Sequence, residues 1–186
     1  FDNEMGPNVL WLTEYLLEML PLNDGDRVMD LGCGTALSSI FLAKEFGVQV
    51  WATELWIHQD ENWRRVRQAE VSDLVFPIHA DVRNLPYPND FFDAVTAIDS
   101  YHYFGTDELL LGTFLLRHVK PGGRLGIIVP GLRAEFQNGV PTHLQEVWAP
   151  ELHSFHSADW WRNHLEKTGL VAVESCNHME DGHDLW

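Results

Sequence analysis

The residues best suited to chemistry begin with a glycine turn close to the N-terminus. Residues 27–37 read RVMDLGCGTAL, a short apolar strand followed by Asp30, Gly32, Gly34 and the start of a helix. Glycines at this spacing let the backbone approach a ligand with no Cβ in the way, and the N-terminus of the following helix favours a negative group. The turn therefore predicts a site for a small charged ligand at the end of the first strand.

The spacing of the turn separates two classes of ligand. A turn that binds a dinucleotide needs a third glycine five residues after the first, where this chain has Leu37. The pattern D-x-G-x-G-x-G fits Asp30, Gly32 and Gly34, with Ala36 at the last glycine position. The stretch resembles motif I of the class I (Rossmann-like) methyltransferases that depend on S-adenosylmethionine (SAM). We expect the methyl group of Ala36 to be tolerated there if its φ is negative.

The resemblance implies which residues near the turn would hold SAM. Asp30 is expected to accept hydrogen bonds from the amino group of the cofactor, directly or through water. Gly32, Cys33 and Gly34 are expected to lie against its methionyl part. Asp99, which ends the fourth predicted strand, is a further predicted contact. The alternative is a glycine turn that is merely structural.

Two more acids follow predicted strands in the same way. Glu54 ends the second strand and Asp81 follows the third. The resemblance implies that Glu54 accepts from the ribose hydroxyls and that Asp81 accepts from the adenine amine. It also implies that the backbone N–H of Val82 reaches the adenine ring and that Leu55 or Trp56 packs on its face. Each acid taken alone could instead be a solvated residue at a strand end.

The exit of the fourth strand is the candidate for catalysis. Residues 97–104 read AIDSYHYF, which places His102 between Tyr101 and Tyr103. Methyl transfer from a sulfonium is an in-line displacement that depends on alignment, and a base is needed only when the nucleophile carries a proton. His102 is the candidate base and Tyr101 a second candidate catalytic residue that shapes the pocket. The alternative for each is packing behind the pocket.

Residues 131–156 have weak periodicity and are predicted to cover the acceptor. A loop region of this length inside a compact domain is often functional. The motif His153-x-x-His156 raises the question of a metal, but it has no clear carboxylate or cysteine partner, so no metal site is predicted.

The elements that would position these residues alternate between strand and helix. The predicted helices cover 9–20, 37–46, 58–69, 106–119 and 158–168, and the predicted strands cover 27–31, 48–54, 74–79, 92–98, 124–129 and 170–176. This order predicts one α/β domain over residues 1–186, with a doubly wound, mostly parallel sheet. In the family a seventh strand follows. Here Leu185 and Trp186 would barely begin it, so we expect the C-terminal strand to be incomplete.

The composition limits the partners. The formal net charge is −16, from 28 acidic residues against 12 lysines and arginines. Nucleic acids and anionic membranes are therefore unlikely partners, since both attract basic surfaces. The two cysteines, Cys33 and Cys176, give no disulfide framework, and no apolar run has the length of a membrane span, which favours a cytoplasmic location. The oligomeric state is left open.

The sequence thus predicts a SAM-dependent methyltransferase that acts on a small molecule. The likeness is greatest to the group that includes ubiquinone and menaquinone biosynthesis enzymes and relatives of cyclopropane synthases. No Asn-Pro-Pro-Tyr signature follows the fourth strand, which argues against methylation of nucleobase amines. Two alternatives stay open: a SAM-binding module without catalysis, and a nucleotide-dependent oxidoreductase on a similar fold. The identity of the acceptor atom is also left open.

Overall fold

The computed structural model of the chain describes residues 6–185. Its centre is a sheet of five strands in the order β3-β2-β1-β4-β5, with every neighbouring pair parallel. The strands are β1 (Arg27–Leu31), β2 (Gln49–Glu54), β3 (Val75–His79), β4 (Phe92–Ile98) and β5 (Val119–Ile128), and the helices are α1 (Val9–Leu17), α2 (Leu37–Phe46), α3 (Gln59–Gln68) and α4 (Ala158–Glu166). The predicted α/β fold with a doubly wound parallel sheet is confirmed.

The sheet is covered on both faces, as its apolar strands require. Val28 and Met29 are neighbours in β1 and both are fully buried. Because side chains alternate along a strand, Val28 packs with the cluster that contains Leu42 and Val66 of α2 and α3, whereas Met29 packs with the cluster that contains Trp161 of α4. The central strands are therefore packed on both faces, and their carboxyl ends lie at one edge of the sheet.

The helix predicted over 106–119 is wrong in kind. The structure has a π-helical turn at Leu110–Leu115 and a 3₁₀ turn at Leu116–His118. Gly112 lies in the middle of the segment and weakens a regular α-helix. Leu110, Leu111 and Leu115 are all buried in this segment.

The last part of the predicted sheet also differs. β5 begins at Val119, not at residue 124, and the Pro-Gly-Gly turn at 121–123 is a bulge within it: Phe92 pairs with Val119 but Ala94 with Arg124. Residues 170–176 do not form the predicted strand. An alternating pattern gives a strand only where a neighbouring strand supplies the hydrogen bonds. The predicted start of a seventh strand is not seen at Leu185, which lies in a 3₁₀ turn (Gly182–Leu185), and Trp186 is outside the described residues.

The N-terminal helix is shorter than the predicted 9–20. Asn8 caps α1, since its side chain accepts from the N–H of Trp11 at 3.3 Å. Ser157 caps α4 in the same way, through the N–H of Trp160 at 3.2 Å. Among the described residues, no helix combines the length and the apolar character needed to cross a membrane.

Candidate active site

The glycine turn between β1 and α2 is held by β2. The backbone N–H groups of Gly32 and Cys33 both donate to the carbonyl of Thr53, at 2.8 and 3.2 Å. Gly32 and Gly34 have left-handed φ values of 74° and 54°, which glycine adopts at no steric cost. The predicted tight turn at the end of β1 is confirmed.

Gly32 is also required by packing within the protein. A Cβ atom built on it would lie 2.5 Å from the Cβ of Ser100, the second residue after β4. The hydroxyl of Ser100 in turn donates to the carbonyl of Leu31 at 2.6 Å. We expected this glycine to make room for a ligand, and the structure adds that it makes room for the exit of β4. The turn and that exit are thereby fixed against each other.

Ala36 does not meet the condition under which we expected its methyl group to be tolerated. Its φ is +62° rather than negative, and its side chain is fully buried. A residue with a Cβ costs about 1–2 kcal/mol in this conformation. The methyl group packs in the cluster around Leu42 and Val50, which offsets part of that cost. The glycine of the usual motif would carry no such strain.

Asp30 is a buried junction beneath the turn. Its carboxylate accepts from three hydroxyl groups, those of Ser38 at 2.6 Å, Ser39 at 2.7 Å and Thr96 at 3.2 Å. Burial raises the pKa of Asp30, and the three hydroxyls partly counter that rise. Because the side chain has no exposed surface, it joins the start of α2 to β1 and β4. Its contact with a cofactor amino group stays a prediction.

Glu54 lies beside the turn, as the sequence predicts for the end of β2. One carboxylate oxygen accepts from the N–H of Gly34 at 2.9 Å and the other from the N–H of Trp56 at 2.7 Å. A carboxylate has about four acceptor positions, so two remain for further donors. The contact of Glu54 with ribose hydroxyls stays a prediction.

Asn62 of α3 supports the turn from the other side and is not among the predicted residues. Its side-chain nitrogen donates to the carbonyl of Gly34 at 2.9 Å and lies 3.9 Å from the sulfur of Cys33. Arg65 donates to the Asn62 oxygen at 2.9 Å. The signal in the sequence was a polar residue one helical turn before the apolar Val66, on the face that must be buried. Burial also raises the pKa of the Cys33 thiol.

The residues predicted to contact adenine surround the ends of β2 and β3. Leu55 and Trp56 are 49% and 67% exposed, which is unusual for large apolar side chains. Asp81 caps the 3₁₀ turn Val82–Asn84 by accepting from the N–H of Arg83 at 2.8 Å. The side chain of Val82 belongs to the core. These four contacts with adenine stay predictions.

Asp99, directly after β4, combines backbone strain with an unpaired oxygen. Its φ is +53°, which is costly for a residue with a side chain, and such strain clusters at functional sites. Its Oδ1 is buried and has no hydrogen-bond partner among the described residues. Desolvation raises the pKa of Asp99 to about 6. A buried acceptor of this kind is suited to a ligand that brings a donor.

His102 has a similar character three residues later. It is 3% exposed, and its ring lies against Tyr103 and Phe155, with centroid distances of 4.1 and 5.4 Å. Its Nδ1 is buried without a partner in the described part of the chain. Desolvation lowers the pKa of His102 to about 4, so the imidazole is neutral at pH 7. Neutral imidazole is the form that can accept a proton.

Tyr101, the second candidate catalytic residue, is buried, and its catalytic role stays a prediction. The residue is 1% exposed and packs edge-on against Phe104 and Trp161, at 5.4 and 5.7 Å between ring centroids. It therefore belongs to the core. Tyr103, by contrast, is 55% exposed and packs edge-on against Trp56 at 5.1 Å. The alternation of aromatic residues after β4 did not reveal which one faces outward, because a 3₁₀ turn there departs from the strand pattern.

A cavity of about 360 Å³ lies between the exit of β4 and the segment predicted to cover the acceptor. It is lined by His102, Tyr103, Thr106, Pro150, Glu151, His153, Ser154 and His156. We call it the acceptor-side cavity. His102 is the lining residue whose buried Nδ1 has no partner among the described residues, so the candidate base lies at the cavity wall.

The segment beyond β5 is anchored to the start of α4 by Glu135, which was not predicted. Its carboxylate accepts from the N–H of Ser157 at 2.6 Å and lies 3.2 Å from the Nδ1 of His156. Leu132 adds a backbone bond, donating to the carbonyl of His156 at 3.2 Å. These long-range contacts hold one wall of the acceptor-side cavity.

Helix α4 also reaches the opposite wall. His164 lies 2.9 Å through its Nε2 from the carbonyl of Gly105, just beyond the exit of β4. The Trp160 ring is stacked between His156 and His164, at 3.6 and 4.6 Å between centroids. One stack of three rings therefore connects both walls. The spacing of four residues between the three rings is the local signal that could have indicated this stack.

The histidine pair that raised the metal question has other partners. The Nδ1 of His153 lies 3.4 Å from the indole nitrogen of Trp148, and His156 faces Glu135. Over the described residues, no three histidine, cysteine, aspartate or glutamate side chains gather as metal ligands would.

Comparison with known proteins gives a match to one family model, relatives similar in sequence and a solved structure similar in fold. A family model described as "Methyltransferase domain" matches residues 28–123. The chain is 34% identical over 167 residues to 27-O-demethylrifamycin SV methyltransferase of Amycolatopsis mediterranei (strain S699). This alignment covers 86% of this chain and 59% of that protein. It is 36% identical over 173 residues to methyltransferase GfsG of Streptomyces halstedii, which covers 91% of this chain and 61% of that protein. The chain thus spans about three fifths of these relatives.

Among solved structures, the chain is similar to phosphoethanolamine N-methyltransferase 2 of Haemonchus contortus in complex with S-adenosyl-L-methionine. The TM-score is 0.82 at 21% identity, over 99% of this chain and 42% of that one. This likeness concerns the fold.

Proposed function

The chain belongs to the family of SAM-dependent methyltransferases with this methyltransferase domain, and on that premise we propose that it transfers a methyl group from SAM to a small-molecule acceptor. The observation that carries the proposal is the 2.9 Å bond between the Glu54 carboxylate and the N–H of Gly34. It joins the glycine turn and the acid of the next strand in one site. The name of the Amycolatopsis mediterranei relative, 27-O-demethylrifamycin SV methyltransferase, supports a small-molecule acceptor.

The cofactor side of the site fits SAM by the chemistry of its residues. Gly32 and Gly34 would lie against the methionyl part, with Cys33 between them. Glu54 keeps two acceptor positions for the ribose hydroxyls. Leu55 and Trp56 offer exposed apolar surface for the adenine, and Asp81 with the backbone of Val82 would complete its contacts. We propose that Asp30 acts on the cofactor chiefly by holding the turn.

The acceptor side prepares the nucleophile. When bound, SAM supplies a methyl group on a positively charged sulfur, and a nucleophile displaces it in line. The Nδ1 of His102, which has no partner in the described residues, would accept a proton from a hydroxyl or other protonated nucleophile. We propose His102 as this base, with the Asp99 oxygen as acceptor for a donor on the cofactor or on the acceptor.

The broader setting follows from charge and size. We propose that residues 1–186 act as one domain, with residues 131–156 covering the acceptor, and that the protein works in the cytoplasm. The net charge of −16 argues against nucleic acids and anionic membranes as partners. The bonds of His153 and His156 to other side chains support a site without metal.

The decisive experiment has two readouts on one sample. Calorimetry with SAM and with S-adenosylhomocysteine (SAH) measures cofactor binding, and transfer of labelled methyl from SAM into a pool of small metabolites measures turnover. We expect binding of both ligands and a labelled product. Binding without any product would favour a module that only binds SAM. Nicotinamide dinucleotide displacing SAM would favour an oxidoreductase and overturn the proposal.

A further inference from the structure

We propose that the acceptor-side cavity selects against anionic acceptors, and that Glu151 is the residue that sets this preference. The cavity would therefore take a neutral or a cationic part of the acceptor next to His102. The inference rests on the proposed function, because it takes this cavity as the place where the acceptor binds.

The lining of the cavity has one fixed charge. Among its eight lining residues none is lysine or arginine, and Glu151 is the one carboxylate. His102, His153 and His156 also line it. A carboxylate or phosphate entering the cavity would meet Glu151 without a counter-ion in the lining, and like charges brought together disfavour binding.

A second carboxylate, that of Asp99, acts on a residue that lines the cavity. The pKa of the Tyr103 hydroxyl is raised by burial and also by the charges of Asp99 and Glu151. Both acids therefore act on one cavity-lining side chain. Asp99 also has a buried oxygen without a partner in the described residues, which favours a ligand that donates a hydrogen bond. An anionic ligand group has only acceptor oxygens and cannot satisfy it.

The neutral surfaces of the cavity suit an apolar or cationic ligand. The ring of Tyr103 is 55% exposed and packs edge-on against Trp56, which is 67% exposed. Aromatic faces bind apolar groups and cations but not anions. His102 lines the cavity although it is only 3% exposed, so a ligand in this space would lie beside the candidate base.

The test uses three probes of nearly equal size in the presence of SAH, which prevents methyl transfer. They are 2-phenylethanol, 2-phenylethylamine and phenylacetate, which are neutral, cationic and anionic at about pH 8. NMR titration gives the dissociation constants, followed at the indole N–H of Trp56, whose ring is 5.1 Å from Tyr103. We expect phenylacetate to bind at least about fivefold more weakly than the other two, and we expect salt to reduce that ratio.

Variants assign the preference to one residue. Glu151→Gln should cut the ratio by about half or more, and Glu151→Lys should reverse the order of phenylacetate and 2-phenylethylamine. Glu146→Gln is the matched control, because Glu146 is exposed in the same segment and does not line the cavity. It should leave the ratio unchanged.

Each contrary result has one meaning. Phenylacetate binding as tightly as the other probes would overturn the proposal, as would a Glu151→Gln variant that behaves like Glu146→Gln. If none of the three probes binds the complex with SAH, the cavity is not an acceptor site and the inference fails. Failure of SAH itself to bind would instead count against the proposed function.

Discussion

The two halves of the candidate active site differ in how completely their polar groups are paired. On the cofactor side, the carboxylates of Asp30 and Glu54 accept five hydrogen bonds in total, all from hydroxyl or backbone N–H donors. On the acceptor side, one atom each of Asp99 and His102 is buried without a partner in the described residues. The carboxylates of the first half are paired within the protein, whereas the second half contains buried polar atoms whose hydrogen bonds a ligand would have to supply.

This difference indicates where stability and function separate. Paired buried groups hold the turn in place whether or not a ligand is present, so their loss should lower the free energy of unfolding. Unpaired buried groups cost free energy in the native state, so their loss should cost activity and little stability. The following predictions test that division, from the largest expected effect to the smallest.

Replacing the candidate base should affect turnover most. His102→Ala should lower kcat by about 100-fold or more, with SAM affinity within about twofold, because general base catalysis contributes 10²–10⁴-fold. The measurement is steady-state turnover with an identified acceptor, together with calorimetry for SAM. His143→Ala, at an exposed histidine, is the control. Equal turnover of His102→Ala and wild type across pH would remove the base role.

Replacing the buried junction should affect stability most. Asp30→Ala leaves three hydroxyl groups without their acceptor and opens a small cavity, so we expect a loss of about 2–4 kcal/mol in the free energy of unfolding. Urea denaturation measures it. Asp73→Ala, at an exposed acid, should change stability by less than about 0.5 kcal/mol. A loss as small for Asp30→Ala would mean that the cofactor side is not held in the way described.

Replacing the acid beside the turn should affect cofactor affinity. Glu54→Ala should weaken SAM binding by about 1.5–3 kcal/mol through the loss of charge-assisted hydrogen bonds. Calorimetry on folded variant and wild type measures this difference, with Glu45→Ala as an exposed control. Unchanged affinity would place the ribose contact at another residue.

The smallest predicted effect is a gain in stability, on replacing Asp99. The folded-state pKa of Asp99 is raised to about 6, so its ionisation destabilises the native state, and stability should fall as pH rises from about 4 through about 6. After discounting for solvent screening, Asp99→Asn should therefore gain about 1–2 kcal/mol at pH 7 and flatten this dependence. Urea denaturation at several pH values measures both.

Asp90→Asn is the matched control, because Asp90 has a similar φ of +51° but is exposed. It should change neither the stability nor its pH dependence by more than about 0.5 kcal/mol. A loss of stability in Asp99→Asn would mean that the carboxylate has a native partner and that the contrast between the two halves is incorrect.

The cofactor side could be predicted largely from the sequence because its parts are local. Gly32, Gly34 and the strand before them lie within one short stretch, and Glu54 follows the next strand. Since parallel strands end at the same edge of a sheet, predicting the strands also brings Glu54 to the turn. Asn62 was missed because its role depends on how α3 packs, and the sequence left the sign of φ at Ala36 open.

The acceptor side could be predicted only in part. The residue types at the exit of β4 indicated a functional segment, but burial decided that Tyr101 is core and that Tyr103 is exposed. Glu135 and His164 hold the cavity walls from 22 and 59 residues away, and no local periodicity encodes such contacts. The prediction of a strand over 170–176 was wrong for the same reason, since a strand needs a neighbouring strand to pair with.

The sequence by itself determined the fold class, the glycine turn and the acid at the end of β2, because strand and turn signals are local and topology aligns their ends. Tertiary structure decided which polar groups are paired and which are left for a ligand. That outcome depends on burial and on contacts between distant segments. Removing a polar group from water costs free energy unless a hydrogen bond replaces the lost water, and only the tertiary structure decides whether a partner is present.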